Sequence, residues 1–234
     1  MVKHYKIADL LVEMDTFGRT EDQAEAYRFD YEGDAAFRVS STDYIKRYVE
    51  KYPELSQDTV EYMCSGSSFY KNLLDFDGLM VHASAVVVDG RAYLFAAASG
   101  TGKSTHANLW LERFGDRAYI LNDDKPAIRK TDNKWLAYGT PWSGKHDISV
   151  NAGVPLAGIA VLERGSVNKI KPLDGIKAVT SILKQVNRPR EEEYRKKLLA
   201  VLDRLIKEVP IWELSCTVSL EAVDVSFGAM SEIV

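Results

Sequence analysis

The chain has 234 residues, 46% of them apolar, so it can bury a core of its own and is too hydrophobic to be read as disordered. A formal net charge of −4 leaves no basic surplus to neutralise a phosphate backbone, which argues against nucleic acid as a partner. Met1 to Asp15 mixes Lys3, His4, Lys6, Asp9 and Glu13 among apolar residues, so neither a signal peptide nor a membrane span is expected and the reading is a soluble, cytoplasmic protein.

In chain order, Ala26 to Tyr31 alternates aromatics with charges and, across Glu32-Gly33, is expected to pair with Ala35 to Val39 as a hairpin. Tyr44, Ile45, Tyr48 and Val49 recur at helical spacing before Pro53, and Ser56 reads as the cap of a helix from Thr59 to Phe76, weakened by Gly66 and its serine neighbours. Cys64 and Cys216 have no CxxC spacing and read as buried, reduced thiols.

From Leu79 the character changes. Leu79 to Val88 and Arg91 to Ala98 are apolar runs separated by Asp89-Gly90, a strong hairpin signal. The second run delivers a glycine-rich loop, and a helix, Thr105 to Phe114, follows it up to Gly115. A strand, Ala118 to Leu121, then empties into Asn122-Asp123-Asp124. Ala127 to Lys130 with Lys134 to Tyr138 predicts a further hairpin, and Leu156 to Leu162 a buried strand. Asp174 is expected to cap a helix over Ile176 to Val186. Tyr194, Leu198, Leu202, Leu205 and Val209 make one helical stripe that ends at Pro210. Ile211 to Cys216 reads as a strand and Leu220 to Met230 as a last helix. The change at Leu79 places a domain boundary near residue 77, with an N-terminal αβ extension over 1–77 and a nucleotide-binding domain over 78–234.

The chemistry lies in Ala97-Ala98-Ser99-Gly100-Thr101-Gly102-Lys103-Ser104. A triphosphate needs several donors at once, and a strand that turns through glycines into a helix aims consecutive backbone N–H groups at one anion. Gly100 and Gly102 permit the turn, Lys103 can reach the outer phosphates, and the Ser104 hydroxyl is placed to ligate Mg²⁺. The P-loop pattern asks for glycine where this chain has Ala97, a substitution tolerable where φ is negative. The nucleotide contacts are therefore expected from Ala98, Ser99, Gly100, Thr101, Gly102, Lys103, Ser104 and Thr105, with ATP and Mg²⁺ as cofactors. Asp123 and Asp124 stand where such a fold presents acids to metal or attacking group: one as proton acceptor, the other beside Mg²⁺, in an order the sequence leaves open. His82 lies within an apolar run, where a lone histidine is more often a core residue than a catalyst. His4, His106 and His146 show no metal-ligand spacing.

From Val81-His82-Ala83 through the loop to Asp123-Asp124, roughly residues 79–163, the chain resembles the HPr kinase/phosphorylase and phosphoenolpyruvate carboxykinase superfamily. There a histidine on the strand before the loop, a Gly-x-Gly-Lys-Ser/Thr loop and an Asp-Asp pair after the next strand surround one site. The resemblance implies an α/β (α+β) fold with a mixed, curved β core and outer helices. It also implies His82 near the reacting phosphate, Lys103 and Ser104 on nucleotide and Mg²⁺, with Ser104 and Asp124 on the metal side. The chain departs from the pattern in lacking the glycine-rich signature after the acidic pair, and it is too short for a phosphoenolpyruvate carboxykinase. Short HPr-kinase-like proteins are the better likeness. They imply a kinase acting on a serine hydroxyl of a peptide, protein or small molecule, with homo-oligomerisation left open.

Gly139 to Asp147 adds a second loop, in which Ser143, Gly144 and above all Lys145 suit a substrate-side contact. The alternative is an ordinary surface loop with Trp142 tucked into the core. Two other functions fit the same nucleotide loop: a regulator without chemistry and an NTP hydrolase.

Overall fold

A computed structural model describes residues 2–31, 33–40 and 42–232. In chain order its elements are β1 (Lys3–Ile7), β2 (Leu10–Met14), α1 (Gly18–Ala24), β3 (Phe37–Val39), α2 (Thr42–Lys51), α3 (Gln57–Asn72), β4 (Gly78–Met80), β5 (Ala83–Val88), β6 (Arg91–Ala96) and α4 (Lys103–Phe114). They continue with β7 (Ala118–Asn122), β8 (Ala127–Thr131), β9 (Lys134–Tyr138), β10 (Gly153–Arg164), β11 (Lys169–Pro172), α5 (Gly175–Leu183), α6 (Glu192–Glu208), β12 (Ile211–Cys216) and α7 (Leu220–Ser231).

Among the described residues the strands form two sheets, a small one ordered β1-β2-β3 and a long one whose path runs β4-β8-β9-β10-β6-β5-β7. The long sheet is mixed. The hairpins β5–β6 and β8–β9 are antiparallel, whereas β10 runs parallel to both β6 and β12. Along its twelve residues β10 pairs first with β9 through Gly153–Pro155 and then with β12 through Ile159–Arg164. A register shift between Leu156 and Gly158 marks the changeover, as a bulge bends a strand. The result is a curled, open half-barrel with helices outside, the mixed, curved α/β core that the resemblance implies.

The unbroken apolar runs of β5 and β6 follow from burial on both faces. Ala83, Ala85, Val87, Ala92, Leu94 and Ala96 pack on the side of α5 and α6. Val86, Val88, Tyr93 and Phe95 pack on the side of α4 and α7, around Trp110. A strand covered on both sides loses the polar alternation of a half-exposed one. On α6 the predicted stripe is the buried face, with Leu198, Val201, Leu202 and Leu205 inside.

Four local expectations change. Ala26 to Tyr31 and Ala35 to Val39 do not pair as a hairpin: Glu25–Tyr27 is a 3₁₀ turn, Arg28 makes a single bridge to Tyr5, and β3 pairs in parallel with β2. Glu32 lies outside the described residues. The hairpin of this region is β1–β2, closed through Ala8 and Asp9 at φ +53° and +58°; alanine at positive φ is costly and carries no turn signal. Leu79 to Val88 is two strands rather than one, since the chain changes partners between β8 and β6 at His82. Asp174 occupies the cap position of α5 but makes no capping hydrogen bond with its side chain. Cys216 is half-buried rather than buried, and both cysteines are free.

Ser56 does cap α3, its hydroxyl accepting from the Thr59 N–H at 3.1 Å. Gly66 does not break that helix. A Cβ built there would meet the Trp142 ring at 2.9 Å, so glycine in mid-helix lets the indole lie against the backbone, which offsets its propensity penalty of about 1 kcal/mol.

Candidate nucleotide and phosphoryl-transfer site

The loop between β6 and α4 turns through Gly100 at φ +77° and Gly102 at φ +123°, backbone conformations that disfavour any residue with a Cβ. Gly102 is the cap residue of α4 and no side chain satisfies the first turn. The N–H groups there have no intrahelical partner, and the helix dipole adds positive potential. Ala98, Ser99, Gly100, Ser104 and Thr105 are exposed, with Thr101 and Gly102 half-buried. On the outer side Arg164, at the end of β10, donates to the carbonyls of Gly100 at 2.6 Å and Thr101 at 3.1 Å. Two loop carbonyls are thereby held by a cation, which counters their repulsion of an anion.

Lys103 is buried, and its ammonium donates to the Ala97 carbonyl at 3.1 Å. Burial holds its pKa below the ordinary lysine value, against the pull of the Asp124 and Asp123 carboxylates and with the help of Lys125. These charges therefore share one electrostatic neighbourhood.

The acidic pair is fixed by a residue to which sequence reasoning assigned no role. Asn122, fully buried at the end of β7, accepts from the N–H groups of Asp124 at 3.0 Å and Lys125 at 2.8 Å, and donates to the Thr140 carbonyl at 3.0 Å. That Asx turn sets the direction of both carboxylates. The signal was present as an asparagine just before the pair. Ser84, buried on β5, donates to Asp123 at 2.5 Å. His82 Nε2 lies 3.3 Å from Asp124 Oδ1, and the Lys125 ammonium pairs with Oδ2. Burial pushes the Asp124 carboxyl up, but the hydrogen bond from His82 and the charge of Lys125 outweigh it and hold the group down at about 2.

The second loop divides between its two readings. Trp142 is fully buried, stacked on Phe69 at 4.9 Å and donating to Ser65 at 3.2 Å. Ser143 is also buried and donates to Asp147 at 2.8 Å. Gly144, at φ +80°, comes so close to the pair that an added Cβ would stand 3.0 Å from that of Asp124. Its carbonyl accepts from Arg19 and from Gln23, and its N–H donates to Tyr62. Lys145, next to it, is exposed. The structure thus brings together His82, Lys103, Asp123, Asp124 and Gly144, while the Trp142 and Ser143 side chains belong to the packing. Among the described residues no cluster of three or more His, Cys, Asp or Glu could hold a metal ion unaided.

A family profile described as "SynChlorMet cassette protein ScmC" matches residues 53–223. The chain belongs to that family. The ScmC match takes in His82, the loop, the acidic pair and Gly144, and leaves Arg19 and Gln23 outside it. No curated protein matches the sequence. Among solved structures, the Hpr(Ser) kinase/phosphatase from Coxiella burnetii is similar at 10% identity, over 66% of this chain and 97% of that one, with a TM-score of 0.40. A likeness at that level supports no statement about this chain's activity.

His106, on α4, is a packing residue. It is buried against Phe95, with its Nε2 accepting from Trp110 at 3.1 Å, and burial pulls its pKa down from 6.5 to about 4. The unfolded chain takes up a proton below about 6.5 and the folded chain only near 4, so stability falls with pH through that window, by about 3 kcal/mol at its end. Calorimetric melting between pH 7 and 4 should show a shallower decline for His106→Gln than for the natural chain.

Proposed function

We propose that residues 97–105 bind ATP with Mg²⁺ and that the chain transfers the γ-phosphoryl group to a hydroxyl, preferentially that of serine. The observation that carries this reading is an open helix terminus whose buried lysine feels the charge of both carboxylates of the acidic pair, each held by different partners. Asp124 stays anionic through the physiological range, which suits a hard cation and makes it a poor proton acceptor. It is the metal-side acid, together with the exposed Ser104 hydroxyl. Two oxygen donors from the chain, with the remainder from phosphate and water, would be the usual arrangement for Mg²⁺. When bound, the ion supplies neutralising charge to the phosphates.

Asp123 takes the proton from the attacking hydroxyl. The new P–O bond forms to the acceptor oxygen as the bond to the β–γ bridging oxygen breaks, and ADP leaves with that electron pair. His82, hydrogen-bonded to Asp124, faces the transferred group, and the backbone of Gly144 limits how the acceptor approaches.

The reading is tested by titrating a fluorescent ATP analogue with Mg²⁺ and with chelator, and by following label from the γ position of ATP into serine-containing peptides. Lys103→Ala should weaken nucleotide binding by about tenfold to a hundredfold, the loss of a charge-assisted contact to phosphate. Equal affinity in variant and natural chain would remove the loop from the argument.

A further inference from the structure

Beside this site runs an open groove of about 480 Å³ between α3 and the segment 187–191 that leads into α6. The geometry points to this groove as the seat of an acidic, extended peptide segment flanking the serine that accepts phosphate. The inference rests on the phosphoryl-transfer reading for its meaning, though not for its measurement.

The backbone N–H of His82 donates to the Gln185 carbonyl at 2.6 Å, and Val81 bridges Val186. The groove wall begins at Asn187, two residues and at most about 7 Å along the chain from that anchor. One end of the groove therefore continues the segment that pairs with the backbone of His82.

Along α3 the lining runs from Met63 to Lys71, about 12 Å at helical rise and the length of roughly four extended residues. Met63 is 48% exposed and offers an apolar floor. On the facing wall Arg188 and Arg190 are both exposed, and neither guanidinium enters an ion pair within the described residues. Lys71 and Glu191, by contrast, pair with each other at 3.2 Å. The groove thus carries two unneutralised cations on a chain whose net charge is −4. Charge complementarity then selects an occupant with carboxylates a few residues from its serine. An open trough suits a chain better than a small metabolite, which would be enclosed on most sides.

Anisotropy of a fluorescein-labelled ten-residue peptide with one serine followed by four glutamates tests this, against versions carrying glutamine or lysine instead. The glutamate peptide should bind the natural chain best, and Arg188→Ala with Arg190→Ala should weaken it about tenfold with no change in ATP-analogue affinity. Arg188→Glu with Arg190→Glu should turn the preference to the lysine peptide. Both arginines are exposed, so the fold is not at risk. Equal binding of the three peptides, indifference to the arginines, or equal displacement by a single-stranded oligonucleotide would overturn the groove. Arginine-dependent binding without phosphate transfer would leave the groove standing and remove the kinase reading, whereas transfer that ignores the arginines would do the reverse.

Discussion

Asp123→Asn is expected to lower phosphoryl transfer by about 10² to 10⁴-fold, the range typical of a lost general base, while nucleotide affinity changes little. The substitution is isosteric, and the amide oxygen can still accept from Ser84, which donates to Asp123 at 2.5 Å. The surrounding turn rests on Asn122 and should persist. Single-turnover transfer measured beside equilibrium binding separates the competing functions. Binding retained with turnover lost identifies the proton acceptor. A natural chain that binds nucleotide with neither transfer nor hydrolysis is a regulator, and one that releases phosphate with no phosphorylated product is a hydrolase. Unchanged transfer in the variant would exclude Asp123 from the chemistry.

Trp142→Ala should destabilise the fold by about 3–5 kcal/mol, the usual cost of emptying a fully buried aromatic site. The indole is wholly buried, stacks on Phe69, meets Tyr70 edge-on at 5.5 Å and lies against Gly66. For a chain of this size that corresponds to a fall in melting temperature of roughly 10 °C. Function should suffer further at temperatures where the variant is still folded, because Trp142 anchors the loop whose Gly144 abuts Asp124. Calorimetry paired with transfer assays well below the melting point checks both. A melting temperature within about 2 °C of the natural chain would show that the site collapses around the cavity.

The strands and helices that carry the loop were legible because their patterns answer to local rules. Asp89-Gly90 closes β5–β6 at φ +50° and +75°, and Gly115 ends α4. The β1–β2 turn was not legible, since Ala8-Asp9 adopts positive φ under tertiary compulsion and not by composition. β3 failed for a related reason. Its partner is β2, a parallel pairing across intervening α1, and no short-range pattern announces it. In the site, the loop and the acidic pair stood out by residue type, whereas Arg164, Ser84, Lys125 and Tyr62 are ordinary residues until the fold brings them to the loop, the pair or Gly144.

From its own order of residues this chain determines a strand–glycine loop–helix unit, a following strand that ends in two acids, and a slightly negative overall charge. Those features depend on backbone sterics and on charge, which act between near neighbours or over the whole composition. Tertiary structure alone decided that His82 sits at a change of strand partner, 3.3 Å from Asp124. It also decided that Asp124 is held near 2 and that a glycine twenty residues later abuts it. Such facts depend on which groups share a desolvated space, and that is set by how the sheet curls and β10 exchanges partners.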